Sequence, residues 1–402
     1  MKRKSARKRI APGAPALGER ANGRESQRSV LPVLAAAVLI FGAVAWLMVR
    51  GGAPADQRPR NVLLITLDTV RADRLGAYGY AGARTPHLDA LASRGVRFDD
   101  AVAPSPITGP SHAAMFTGLY PGRLGVRDNA TTPLPDDAVT MAELLSDRGF
   151  ATGGFIGAFI LDRPYGFGQG FEHFGSGFTS VESGRETNAE RRGDAVVDDA
   201  IAWLSSLPAD RPFFGWVHLY DAHADYAAPE PFGSQFTERP YDGEIAFVDA
   251  QVGRLLEALR ARGALDETLV IAIADHGEAL GDHGEDEHGV FLYDEVIRIP
   301  WIVAGPGARP GLVVGEQVRA IDLLPTVLEA LEIPGPDGLD GETLWALLGG
   351  GSREEAPRRM RRATIRGCIT AGASCARSGP KGGRRWMRRA PSSTTCERIR
   401  AS

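Results

Sequence analysis

Six of the eight histidines in this chain of 402 residues fall in three short segments that are also rich in Asp, Thr and Ser: His112, then His218 and His223, then His276, His283 and His288. Imidazoles grouped with carboxylates and hydroxyls suit cation binding or proton transfer. Asp68 ends the apolar run NVLLITLD (61–68), and Asp275-His276 ends a second apolar run, Thr268–Ala274. If both runs are parallel strands, all three side chains leave the same edge of a sheet. Two carboxylates and an imidazole placed there suit a divalent ion such as Zn²⁺, Mn²⁺ or Ca²⁺. A lone Asp at a strand end serves equally well as a helix N-cap. The segment Thr108-Gly109-Pro110-Ser111-His112, closed by Gly118, puts a hydroxyl at the start of a helix with Pro110 in its first turn. Such a Thr is either an ordinary cap or a nucleophile beside amides that favour an anion. Spacing alone leaves both open.

These residues need a frame, and the pattern around them alternates. Helical spacing covers Thr85–Arg94, Thr140–Arg148, Asp194–Leu207, Tyr241–Arg262 and Ile321–Leu331. Strand-like runs cover 61–68, Phe150–Ile156, Phe213–Leu219, Thr268–Ala274 and Pro300–Val303. Alternation of this kind predicts an α/β sheet covered on both faces, with ligands beyond the carboxyl ends of its strands. No internal repeat is visible.

Charge is segregated. Residues 1–50 carry +8 and residues 352–402 carry +11, so the net −4 leaves −23 for the stretch between. An acidic body argues against specific nucleic-acid binding, which needs cations on phosphates. Cys368, Cys375 and Cys396 all lie near the carboxyl end, so the body contains no thiolate site and no disulfide. Val30–Val49 is about 20 uncharged residues, long enough as a helix to cross a bilayer. Nine Lys and Arg precede it. The expected organisation is therefore a basic cytoplasmic segment (1–29), a transmembrane helix (30–49), a linker (50–60), a catalytic domain (61–350) and a basic tail without apolar periodicity (351–402). This places the body at the cell membrane on the periplasmic or extracellular side. A cleaved signal peptide would also export it.

Five ordered segments carry a resemblance: NVLLITLDTVRADRLGAYGY, TPHLDALASRGVRFDDAVAPSPITGPSHAAMFTGLYPGRLG, WVHLYDAHADY, IADHGEALGDHGEDEHGVFLYDEVIRIPWIVAGPG and IDLLPTVLEALEIPGPDGLDG. Together they resemble the successive motifs of the sulfatases within the alkaline-phosphatase superfamily, over about residues 60–345. The resemblance implies an alkaline-phosphatase-like, mostly parallel sheet flanked by helices. It breaks near residue 365, where an Arg-rich and Cys-containing stretch replaces the expected small sheet and last helix. The C-terminal subdomain is thus expected to be truncated or divergent.

By resemblance, Asp68, Asp275 and His276 hold the metal with Thr108 as fourth ligand and nucleophile. His112 stands where the family has an Arg and is expected to bind substrate. His223 and His288 are expected to bind substrate and protonate the leaving alcohol, and with Asp221 they are also the candidate ligands of a second ion. His218 and His283 are expected to support the site or the structure, and Arg71 and Arg123 are candidate anion contacts. The departures matter. The family's Cys/Ser-x-Pro-Ser-Arg is Thr108-Gly-Pro-Ser-His112, its paired aspartates are Asp68-Thr69, and its Gly-Lys-x-His is Gly157-Ala158-Phe159-Ile160. Threonine does not undergo the conversion to formylglycine, so Thr108 is expected to act as an alkoxide. Phosphorus tolerates the second in-line displacement that this requires, so a phosphate diester or phosphonate monoester is favoured over a sulfate ester. The substrate is read as a small-molecule, headgroup or glycan ester. The rival readings are a true sulfuric ester hydrolase and a catalytically silent, membrane-anchored binding protein.

Overall fold

The computed structural model describes residues 58–352 apart from 130, 176 and 179–189. The expected membrane span at 30–49, the basic segment before it, most of the linker, the tail from 353 and the break near 365 lie outside the described residues. Among the described residues no helix is long and apolar enough to cross a membrane.

The run at 61–67 forms β1 (Asn61–Leu67), buried at all seven positions. A strand without polar alternation must be covered on both faces, and this one is. Along the chain follow α1 (Pro86–Ser93), β2 (Gly95–Val102), α2 (Thr108–Thr117), α3 (Met141–Ser146), β3 (Ala151–Phe155), β4 (His173–Gly175), α4 (Gly193–Ser206), β5 (Phe213–Leu219), α5 (Pro240–Ala261), β6 (Thr268–Ala274), β7 (Arg298–Ala304), β8 (Leu312–Val314), β9 (Val318–Arg319) and α6 (Leu323–Ala330), joined by short helical turns. The sheet order is β4-β3-β5-β1-β6-β7-β2-β8, with β9 also paired to β2. All pairings are parallel except those of β7, which runs antiparallel to both β6 and β2. Helices α1, α4 and α5 pack together on one side, and α2, α3 and α6 form the other group. The α/β expectation therefore holds, with a mixed rather than wholly parallel sheet.

Register fixes the site. β1 lies between β5 and β6, with Leu67 level with Leu219 and with Ala274. Asp68 and Asp275 consequently emerge side by side at the carboxyl edge, where an α/β sheet places its ligands. Leu63, Leu64 and Ile65 are essentially inaccessible. Each such side chain contributes about 1.5–3 kcal/mol by leaving water, so the site stands on a fully buried part of the sheet.

β2 was not foreseen. Its sequence GVRFDDAV interrupts the apolar run with Arg97, Asp99 and Asp100, and these positions are only partly buried because β2 lies near the sheet's edge.

Candidate active site

Thr108 is the first residue of α2, not its cap. Ile107 occupies the cap position without a side-chain bond, and Gly118 in the left-handed conformation ends the helix. The Thr108 hydroxyl is thus released from capping. Its Oγ1 lies 3.2 Å from His276 Nε2 and 3.4 Å from Asp68 Oδ2, and the residue is 1% exposed. One amide of the helix start is already used, since Gly109 N donates to Asn129 Oδ1.

His276 is oriented from behind. Its Nδ1 lies 2.9 Å from the Gly277 carbonyl, which can only accept, so the proton sits on Nδ1 and Nε2 presents a lone pair toward Thr108. Burial, followed by the charge of His288, lowers its pKa to about 3. Gly277 must be glycine, because a Cβ there would come within 2.0 Å of the Glu295 carbonyl oxygen. Asp275 uses Oδ1 to accept from His276 N at 2.8 Å and Thr69 N at 3.3 Å. Its Oδ2 is buried without a partner, as is Asp68 Oδ1. Asp68 Oδ2 faces His218 Nε2 at 3.1 Å, and His218 Nδ1 accepts from Gly157 N at 3.4 Å, so Nε2 is the donor to Asp68. His218 thereby fixes the orientation of the Asp68 carboxylate.

The two carboxyls are shifted in opposite directions. Burial would raise both, but the His218 hydrogen bond overrides it at Asp68 and holds that group well below the usual range. At Asp275 burial and the neighbouring Asp68 charge push the carboxyl well above its ordinary value. Ligand atoms of Asp68, Asp275 and His276 lie within 4.8 Å of one another. Two buried carboxylate oxygens without donors, beside an imidazole lone pair fixed by a carbonyl, fit a divalent cation.

Several expectations need correction. His112 is fully buried one turn along α2, with Nδ1 2.9 Å from the Thr108 carbonyl and its ring against His218 and Trp216. Burial lowers its pKa to about 3, so it is a neutral, internal imidazole and does not replace the family's substrate-facing Arg. Its ligand atom converges with those of His218 and Asp275, a grouping not foreseen. Asp221, His223 and His288 do not gather as a second ion site among the described residues. Asp221 turns instead to the amino end of α4, where Oδ1 accepts from Gly193 N at 2.8 Å. Unbonded amides at a helix start compete effectively for a carboxylate. Arg71 is buried and held by Asp73, Asp282 and the carbonyls of Glu278 and Ala279. Arg123 pairs with Asp340 away from the site. His283 is half exposed, 3.6 Å from Glu295.

His223 and His288 do reach the site. The His288 ring centroid is 4.3 Å from that of His276 and 5.1 Å from that of His223, and His223 stacks on Tyr220 at 4.5 Å. Glu278, unforeseen, is buried between Tyr226 and His288. Oε1 lies 3.1 Å from His288 Nδ1, and Oε2 accepts from the Tyr226 hydroxyl. Burial opposes charge on His288, but the Glu278 contact wins and its pKa is raised. Thr69, where the family has its second Asp, sits at φ 56 and donates Oγ1 to the Ala222 carbonyl at 2.7 Å, with its own carbonyl accepting from Tyr241. It ties β1, β6 and α5 together and offers no ligand.

The sulfatase family profile matches residues 60–333. The chain belongs to the sulfatase family. It is 32% identical to human arylsulfatase A over 351 residues, covering 73% of this chain and 68% of that one. It is 29% identical to mouse steryl-sulfatase, over 74% of this chain and 66% of the relative. The solved phosphonate monoester hydrolase of Agrobacterium radiobacter superposes with a TM-score of 0.65 at 25% identity, covering 75% of this chain and 79% of that one. The chain is thus a sulfatase-family hydrolase acting on sulfo- or phosphoesters. No lysine stands between Lys8 and Lys381 in this family member, so no Lys of the body can serve its site.

Near the site, Glu244 on α5 accepts from Ala227 N at 2.6 Å while 4% exposed. Burial and then the Asp221 charge push its pKa up to about 8 from 4.5. The folded chain keeps this proton up to about pH 8, whereas the unfolded chain releases it near 4.5. Stability therefore declines as pH rises through that window. Glu244→Gln keeps the acceptor and removes the charge. It is expected to add about 1–2 kcal/mol at about pH 8.5 and almost nothing at about pH 5, read by calorimetric unfolding at both values. Equal shifts at the two values would show that the carboxyl is ionised throughout.

Proposed function

We propose that this chain hydrolyses a singly charged phosphate diester or phosphonate monoester, with Thr108 as nucleophile and a covalent intermediate. The observation that carries the reading is the buried Thr108 hydroxyl poised between His276 Nε2 and Asp68, beside two carboxylate oxygens that lack donors. Asp68, Asp275 and His276 would hold one divalent ion, Ca²⁺, Mn²⁺ or Zn²⁺, with Thr108 next to it. Such an ion supplies positive charge that favours an alkoxide and polarises the ester.

Thr108 Oγ1 attacks phosphorus in line and forms an oxygen–phosphorus bond as the alcohol leaves. His223 or His288 delivers a proton to the departing oxygen. His223 Nδ1 is committed to the Ala224 carbonyl and His288 Nδ1 to Glu278, so Nε2 is the working atom of each. Water then displaces Thr108 from phosphorus. The α2 amide dipoles favour the charge that develops. Absence of body lysines and diversion of Arg71 leave few cations for substrate, which favours a monoanion over a doubly charged phosphate monoester.

The relatives' names favour a second reading, a true sulfatase. In either case the reading includes a tether at 30–49, resting on its 20 uncharged residues and the cations before it, with the catalytic body exported.

The test is metal analysis of the purified protein together with rates on nitrophenyl esters of sulfate, phosphate, a phosphate diester and a phosphonate. The expected result is one ion per chain and diester or phosphonate rates at least about 100-fold above the phosphate monoester, a gap of about 3 kcal/mol. Turnover of sulfate alone would overturn the choice of phosphorus. Bound metal with no turnover on any ester would support the silent protein instead.

A further inference from the structure

Five large apolar side chains are strongly exposed among the described residues, and three of them, Val290 at 67%, Phe291 at 48% and Tyr293 at 39%, fall within four positions. Side chains in water contribute nothing to the core, and a cluster of them marks a binding surface more often than a lone one does. The cluster begins two residues after His288. Its Gly289 adopts φ 101, and a Cβ built there would lie 3.9 Å from Ile107 Cγ1. Ile107 immediately precedes Thr108. The loop therefore runs from one expected substrate contact past the residue that precedes the nucleophile.

The loop is held, not loose. Buried Glu285 accepts from Val290 N at 3.1 Å and from Phe291 N at 3.3 Å, and the Tyr293 carbonyl accepts from Val296 N and Ile297 N. Its rings form a row, with Phe291 5.6 Å from Tyr293 and Tyr293 stacked on His283 at 4.0 Å. An exposed row of rings on a hydrogen-bonded loop that leads away from His288 and Ile107 suits a flat apolar surface carried by the ester's alcohol.

We propose that Val290, Phe291 and Tyr293 form the subsite for the leaving alcohol, and that this alcohol presents a ring face to Phe291 and Tyr293. The inference rests on the reading of Thr108 and its neighbours as an ester site, and it adds the chemical class of the alcohol. Aryl rings and sugar rings both offer such a face.

The test is binding, free of turnover. The full chain carrying Thr108→Ala and loaded with Mn²⁺ is titrated calorimetrically with three monoanionic methylphosphonate esters, of phenol, of glucose and of methanol. A ring ester is expected to bind about three- to tenfold more tightly than the methyl ester. Preference for the phenyl ester assigns an aryl alcohol, and preference for the glucosyl ester a sugar. Phe291→Ala should abolish the preference while methyl ester binding and thermal stability stay unchanged, and Phe291→Trp should restore it. Equal affinity for all three esters, or a preference that survives Phe291→Ala and Tyr293→Ala together, overturns the subsite and leaves the anion site standing. No binding of any ester overturns both.

Discussion

Thr108→Ala is expected to cut kcat by about 10⁴-fold or more, leaving only the rate supplied by positioning and charge. The hydroxyl is the group placed 3.2 Å from His276 Nε2 and 3.4 Å from Asp68 Oδ2, so no adjacent side chain substitutes for it. Metal content should be nearly unchanged, because the Asp68, Asp275 and His276 ligand atoms remain. Thr108→Ser keeps the oxygen and should retain activity within about 10- to 100-fold, with the loss coming from a freer rotamer. The measurement is single-turnover kinetics with acid quench and intact mass. A phosphorylated chain should be trapped with the native residue and not with alanine. Full activity in the alanine variant would show that water, not Thr108, attacks the ester.

Asp275→Asn is expected to move stability in opposite directions depending on the ion. Without metal, Asp275 leaves one oxygen buried, donorless and beside the Asp68 charge, which is destabilising. Asparagine can keep accepting from Thr69 N and His276 N through its oxygen and needs neither a charge nor an added proton beside Asp68, so the metal-free protein should gain about 1–2 kcal/mol. With metal the sign reverses. An ion that binds only the folded native chain contributes about 2.7 kcal/mol at a concentration one hundred times its Kd, and the variant forfeits most of this. Thermal unfolding in chelator and in excess Mn²⁺ gives both numbers. A variant that responds to the ion as the native chain does would remove Asp275 from the ligand set.

The parts of the fold that could be read from sequence are those where burial is two-sided. β1, β5 and β6 are mainly apolar runs buried at every position, and two of the three match their expected bounds residue for residue. β2, with three charged residues facing a partly open edge, carries no such signal, and β4, β8 and β9 are too short to show a period. The same division holds in the site. That Asp68, Asp275 and His276 converge is legible because a strand end fixes where the next side chain goes. Asp221, two residues from His223, was misread because sequence proximity does not reveal that the start of α4 captures its carboxylate. Arg71 was lost to Asp73 and Asp282 in the same manner. Glu278 stands next to Asp-His-Gly, yet its meaning depends on a loop that returns ten residues later to bring His288 against it. No local pattern encodes that return.

The place of β1 between β5 and β6 also sets an order in time. β1 is made early, but its hydrogen-bonding partners are made roughly 150 and 200 residues later, since Val62 pairs with Phe214 and Asn61 with Thr268. At about 5–20 residues per second this apolar strand waits roughly 8–30 seconds during synthesis before its first partner is made, and roughly 10–40 seconds before its second. Asp68 leaves the ribosome with β1, whereas Asp275 and His276 follow β6, so the ion site cannot assemble before the centre of the sheet closes. Ion capture at the proposed site would therefore be a late event of folding, and its rate would report completion of the sheet.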